Sequence, residues 1–87
     1  MTPFSGKTLM ITGGTGSFGE AVLKRFLDTD IAEIRIFSRD EKKQDDMRHH
    51  YQNDKIKYYI GDVRELSSVK NAIHGVDYLF HAAALKQ

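Results

Sequence analysis

The chain has 87 residues, fewer than the about 100–150 of a common domain, so it holds one domain or a portion of one. Its 40% hydrophobic and 29% charged residues describe a soluble globular chain, and 13 Lys plus Arg against 12 Asp plus Glu leave a net charge of +1, too slight to mark a nucleic-acid or membrane surface. Zero Cys excludes a disulfide framework, a thiolate metal site and a Cys nucleophile, and no apolar run approaches the ~18 residues of a membrane span.

Taken in order, Lys7–Thr12 is the first expected strand, stopped by Gly13-Gly14. Ser17–Thr29 has helical spacing: Phe18, Val22 and Phe26 fall at i, i+4 and i+8, and Ala21, Leu23 and Leu27 widen the stripe. Glu33–Ser38, rich in Ile and Phe, is the second strand. Ser38-Arg39-Asp40-Glu41 fits the S-x-x-E capping box and opens a mostly polar helix from Asp40 to Gln52, with Met47 and Tyr51 as its apolar contacts. Lys55–Ile60 is the third strand. Asp62-Val63-Arg64-Glu65 repeats the capping spacing before a short helix with Leu66, Val69 and Ile73 inward and Gly75 as its stop. Val76–Ala82 is the fourth strand, and Ala83–Gln87 leaves its end. The order βαβαβαβ predicts a parallel α/β sheet in strand order 3-2-1-4, with right-handed crossovers placing helices on its faces. Strands covered on both faces account for the apolar runs Leu9–Ile11 and Tyr78–Ala84.

The residues at the strand ends carry the chemistry. Thr12–Gly19 contains G-x-G-x-x-G at Gly14, Gly16 and Gly19, and also G-x-x-G-x-x-G at Gly13, Gly16 and Gly19. A strand before it and a helix after it are the context in which this loop solvates a pyrophosphate with free N–H groups and the helix dipole. The bland alternative is a tight strand-to-helix turn without a ligand. At the end of the second strand, an NAD site has an acid for the ribose 2′-OH, about 20 residues past the glycines. Here stand Ser38 and Arg39, with Lys42 and Lys43 close behind. A guanidinium forks onto a phosphate, so the expected cofactor is NADP, while Asp40 keeps NAD open. The alternative makes these cations solvated helix charges paired with Asp45 and Asp46. Asp62 suits an adenine amine, with the Val63 N–H on the ring, and also suits an N-cap; both roles are expected together. Small residues at His81-Ala82-Ala83-Ala84 leave room for a ligand, or for close helix packing. Lys86 lies just beyond. His49, His50, His74 and His81 do not share a spacing that would hold a metal, so no metal site is expected.

Together, Thr12–Gly19, Phe37-Ser38-Arg39-Asp40, Gly61-Asp62-Val63 and His81–Lys86 resemble the N-terminal third of an extended short-chain dehydrogenase/reductase. The similarity runs further, to the inverting UDP-N-acetylglucosamine 4,6-dehydratases and the related capsular-polysaccharide UDP-sugar 4-epimerases. It covers essentially the whole chain. The resemblance implies a Rossmann-type fold of which residues 1–87 are the N-terminal part, with catalytic and substrate parts elsewhere. It implies that Thr15, Gly16, Ser17 and Phe18 cradle the pyrophosphate, that Ser38, Arg39 and Lys43 hold the 2′-phosphate end, and that Asp62 and Val63 hold adenine. Ala82 would line the far ribose, and Lys86 would touch both cofactor and UDP-sugar. The family's catalytic Tyr-x-x-x-Lys pair lies downstream; Tyr51 and Lys55 match the spacing by chance, across a helix end and on the wrong edge of the sheet. The implied protein is a cytoplasmic, homo-oligomeric enzyme of polysaccharide biosynthesis, a dehydratase first and an epimerase second. A non-catalytic nucleotide-binding module is the remaining alternative.

Overall fold

A computed structural model describes residues 3–82. The elements follow as β1 (Thr8–Thr12), α1 (Ser17–Leu27), β2 (Glu33–Ser38), α2 (Glu41–Tyr51), β3 (Ile56–Ile60), α3 (Leu66–Ile73) and β4 (Tyr78–His81). The four strands form one sheet in the order β3-β2-β1-β4, and every neighbouring pair is parallel. Ile11 stands opposite Ile36 on one side and Phe80 on the other, and Ile36 stands opposite Tyr58.

Side chains alternate across a strand, so a parallel sheet needs two cores. On one face Leu9, Ile11, Ile34, Ile36 and Ile56 pack against Val22 and Leu23 of α1 and Met47 of α2. On the other, Met10 and Phe37 pack against Ala72 of α3, with Val69 and Ile73 beside it. Helices therefore cover both faces. Arg35 points to the α3 face and serves as a cap. Its Nη1 donates to the carbonyls of Ala72 and His74, both at 2.7 Å, where a helix end leaves carbonyls without partners. Gly75 follows with φ +81°, the expected stop.

Several expectations change in detail. α1 ends at Leu27 because Thr29 takes the Phe26 carbonyl with both its main-chain N–H and its hydroxyl, at 3.1 and 2.7 Å. Its buried arc is Gly19, Val22 and Leu23; Ala21 is exposed, and so is Phe18, whose turn carries it to the cleft rim beside Phe80. The cap of α2 is Asp40, whose Oδ1 accepts from Lys43 N at 3.0 Å. Ser38 does not cap, because it is still paired in β2 and its hydroxyl is engaged by the Gln44 amide. Nor does Asp62 cap α3. That role falls to Glu65, while Asp62 Oδ1 accepts from Arg64 N at 2.9 Å in a local turn ahead of the helix. Leu66, expected inward, is 67% exposed at the first position of α3, and the helix packs through Val69, Ala72 and Ile73 instead. β4 is shorter than expected and is the last strand of the sheet, so Tyr78 and Leu79 are exposed rather than covered.

Candidate functional site

All four strands run the same way, so their carboxyl ends open on one edge. There the loops form a cleft of about 600 Å³ lined by the Gly13–Gly19 loop, the β2 end and the turn after β3. The loop is built tightly. Gly13 N donates to Phe37 O at 2.8 Å, fastening it to β2, and Gly16 N donates back to Gly13 O at 3.1 Å. A Cβ on Gly19 would lie 2.6 Å from Gly13 O and 2.7 Å from Gly14 Cα, so this glycine is demanded by the packing of α1 on the loop. Gly16 differs. A Cβ there would meet nothing nearer than Gly13 O at 3.5 Å, an ordinary contact, and its φ is −78°. Neither packing nor backbone strain requires glycine at this N-cap. No side chain caps α1, so its first-turn N–H groups face the cleft mouth with their dipole uncompensated.

Gly13, Thr15, Gly16, Ser17, Phe18, Gly19, Ser38, Arg39, Lys43, Asp62, Val63 and Ala82, each proposed from the sequence, all line this one cleft. Lys42 does not; it pairs with Asp46 at 3.4 Å on the outer face of α2, as the solvated alternative required. Arg39 does not pair with Asp45 or Asp46. Its Nη1 reaches Asp62 Oδ2 at 3.6 Å and the side chain remains 70% exposed. Lys86 lies outside the described residues. Tyr51 and Lys55 are occupied elsewhere: the phenol donates to Glu20 Oε2 at 2.6 Å and the amine to Thr29 O at 3.3 Å. Among the described residues, no cluster of three His, Cys, Asp or Glu side chains could hold a metal ion, and no helix is long and apolar enough to cross a membrane.

Two contributors escaped the sequence. Gln44 is buried, and its Nε2 donates to Ser38 Oγ at 3.1 Å and Tyr59 O at 2.9 Å, locking the ends of β2 and β3 under the cleft. Its only signal was a polar residue one turn from Met47 on the inward face of α2. Arg64 joins the rim by donating to Asp62 from Nη2 at 2.9 Å and from Nε at 3.2 and 3.3 Å. These bonds, then the one from the Arg64 main chain, hold the Asp62 carboxyl down at about 2. On the far wall, the Thr12 hydroxyl hydrogen-bonds with His81 Nδ1 and ties β4 to β1 beside the loop.

A doubly wound parallel sheet with a glycine-lined cleft outside its carboxyl ends defines a Rossmann-like α/β unit, shaped to receive an anionic group at the start of α1. The model of the family described as polysaccharide biosynthesis protein matches residues 9–87, and the chain belongs to that family. It is 69% identical to proteins named UDP-glucose 4-epimerase from Rickettsia canadensis and Rickettsia prowazekii, over 97% of this chain and 26% of each relative. Among solved structures it is similar to Pen from Bacillus thuringiensis, with TM-score 0.91 and 36% identity over 99% of this chain and 26% of that one. The chain thus spans about a quarter of the length of the curated relatives it matches.

Proposed function

We propose that residues 1–87 are the N-terminal, cofactor-gripping part of a longer nucleotide-sugar enzyme, a 4-epimerase acting on a UDP-sugar with NADP as its bound cofactor. The observation that carries the binding half is Gly16: the fold tolerates a side chain there, so the bare Cα serves what enters the cleft. The name carried by the 69%-identical relatives favours an epimerase over the dehydratase that the resemblance put first.

The residues present fit such a group. The uncapped start of α1, with Thr15, Gly16, Ser17 and Phe18, suits a pyrophosphate. Ser38, Arg39 and Lys43 suit a 2′-phosphate, and Asp62 and Val63 flank the place where adenine would lie. When bound, the nicotinamide supplies reversible hydride exchange with the sugar. This chain's own work is to fix the dinucleotide and orient it along the strand ends, with Gly13, Gly19 and Ala82 letting it come close. Lys86 is assigned to cofactor and substrate by resemblance alone. The base that exchanges the C4 proton belongs to the remainder of the enzyme.

Titration of the whole protein with NADP and NAD tests the grip. NADP is expected to bind more tightly, and Arg39→Ala to weaken NADP more than NAD; equal weakening overturns the 2′-phosphate role. Incubation with UDP-glucose tests the chemistry. UDP-galactose is the expected product, a 4-keto-6-deoxy sugar returns the reading to the dehydratase, and no binding of either dinucleotide overturns the proposal.

A further inference from the structure

We propose that Arg64 is a positioning residue of this cleft: by holding both carboxylate oxygens of Asp62, it leaves the Arg39 guanidinium available to an anionic group at the β2 end. The inference rests on the nucleotide reading above and adds a residue that reading does not use.

The rim carries one carboxylate between two guanidinium groups. Arg64 owns it. Nη2 sits 2.9 Å from Oδ2, Nε lies 3.2 and 3.3 Å from the two oxygens, and the Arg64 N–H reaches Oδ1 at 2.9 Å. The i, i+2 turn places that side chain, so the pairing costs little ordering. Arg39 has only Nη1 at 3.6 Å from Oδ2, beyond hydrogen-bond range. The other rim acid, Asp40, is spent on the N-terminus of α2 through Lys43 N. Both acids beside Arg39 are thus satisfied by the fold.

Removing Arg64 changes this in one direction. An uncompensated Asp62 carboxylate would draw Arg39 into a close pair, and would repel a phosphate approaching the same rim. Both effects fall on a ligand with a phosphate on its 2′-oxygen and spare one without it. Arg64 is 77% exposed, so replacing it opens no core.

The test compares adenosine 2′,5′-bisphosphate with 5′-AMP, which differ only in the 2′-phosphate, by calorimetric titration of the whole protein. Arg64→Gln is expected to lower the preference for the bisphosphate about fivefold, the factor that roughly 1 kcal/mol makes at 25 °C, and to leave the melting temperature in place. Arg64→Lys, which keeps the charge without the fork, should restore part of it. In an Asp62→Asn background the same Arg64→Gln change should have no effect on the preference. An unchanged preference in Arg64→Gln, or an equal loss in both backgrounds, overturns the inference. If the unaltered protein binds neither probe, the nucleotide reading itself falls and takes this inference with it.

Discussion

Gly16 and Gly19 lie one helical turn apart, and glycine at each answers a different demand. At Gly19 an added Cβ would strike main-chain atoms of Gly13 and Gly14 at 2.6–2.7 Å, and main chain cannot swing away as a side-chain tip can. Gly19→Ala should therefore shift the loop against α1, cost about 1–3 kcal/mol of stability, and reduce dinucleotide binding with it. At Gly16 the nearest atom is 3.5 Å away. Gly16→Ala should leave the melting temperature within a few degrees and still weaken binding, because its Cβ occupies ligand space. Thermal melts and dinucleotide titration of both variants check this; equal loss of stability in the two would remove the distinction. The G-x-G-x-x-G pattern was legible in the chain, but it could not say which glycine serves the fold and which the ligand, since that depends on where Gly13 O returns in space. Asp62 gives a second residue-scale expectation. Arg64 hydrogen bonds hold its carboxyl at about 2, below the ordinary 3.8. A carboxyl depressed on folding contributes stability that is present above the unfolded value and is lost as pH falls through the folded one. The stability advantage of the natural protein over Asp62→Asn should accordingly shrink between about pH 4 and pH 2. Parallel curves for the two proteins across that range would refute it.

At the scale of elements, α2 poses the sharpest question, because eleven residues that are mostly charged must still adhere to a sheet. Met47 supplies apolar burial, and Tyr51 bridges to α1 through Glu20. Burial first, then that hydrogen bond, pushes the Tyr51 phenol well above its ordinary value, so the bridge stays protonated through the neutral range. Gln44 supplies the specificity, with one buried amide satisfying acceptors on two strands. Gln44→Leu keeps the volume but leaves the Tyr59 carbonyl and the Ser38 hydroxyl without that donor, at a cost of about 1–3 kcal/mol in chemical denaturation. Because Ser38 lines the cleft, nucleotide affinity should fall in the same variant. A Gln44→Leu protein as stable as the natural one would show that water replaces the amide without cost. The limits of β2 could be read from Glu33–Ser38 because an Ile- and Phe-rich run closes on a polar residue. The caps could not. Ser38 and Asp62 have the right neighbours at the right spacing, yet Ser38 remains in a strand ladder and Asp62 is held by Arg64, so each helix begins later on Asp40 or Glu65. Spacing records local options, and tertiary partners choose among them.

For the molecule as a whole, the alternation of strands and helices was enough to give the order 3-2-1-4, because short parallel crossovers leave few other arrangements. What the alternation could not give was which strand stands at the margin. Tyr78-Leu79-Phe80 reads like a central strand, and it is apolar for that purpose, yet among the described residues β4 pairs with β1 alone. Its outer edge presents main-chain N–H and C=O groups beside Leu79, which is 51% exposed. An unprotected edge of this kind templates pairing with another strand. The accessible surface of 5688 Å² for 9.9 kDa, against about 14,000 Å² for an unfolded chain of that mass, leaves only about 60% buried, so the cohesion available to resist such pairing is modest. The 87-residue chain in isolation should therefore self-associate through β4 with rising concentration. Sedimentation velocity across a hundredfold concentration range should show oligomers at the upper end, and Leu79→Lys, which sets a charge on the edge without touching the cleft, should return the chain to monomer. A chain that sediments as a monomer throughout, with a sharp unfolding transition at high denaturant, would mean that β4 is closed to partners. Association that Leu79→Lys leaves unchanged would place the contact on another surface.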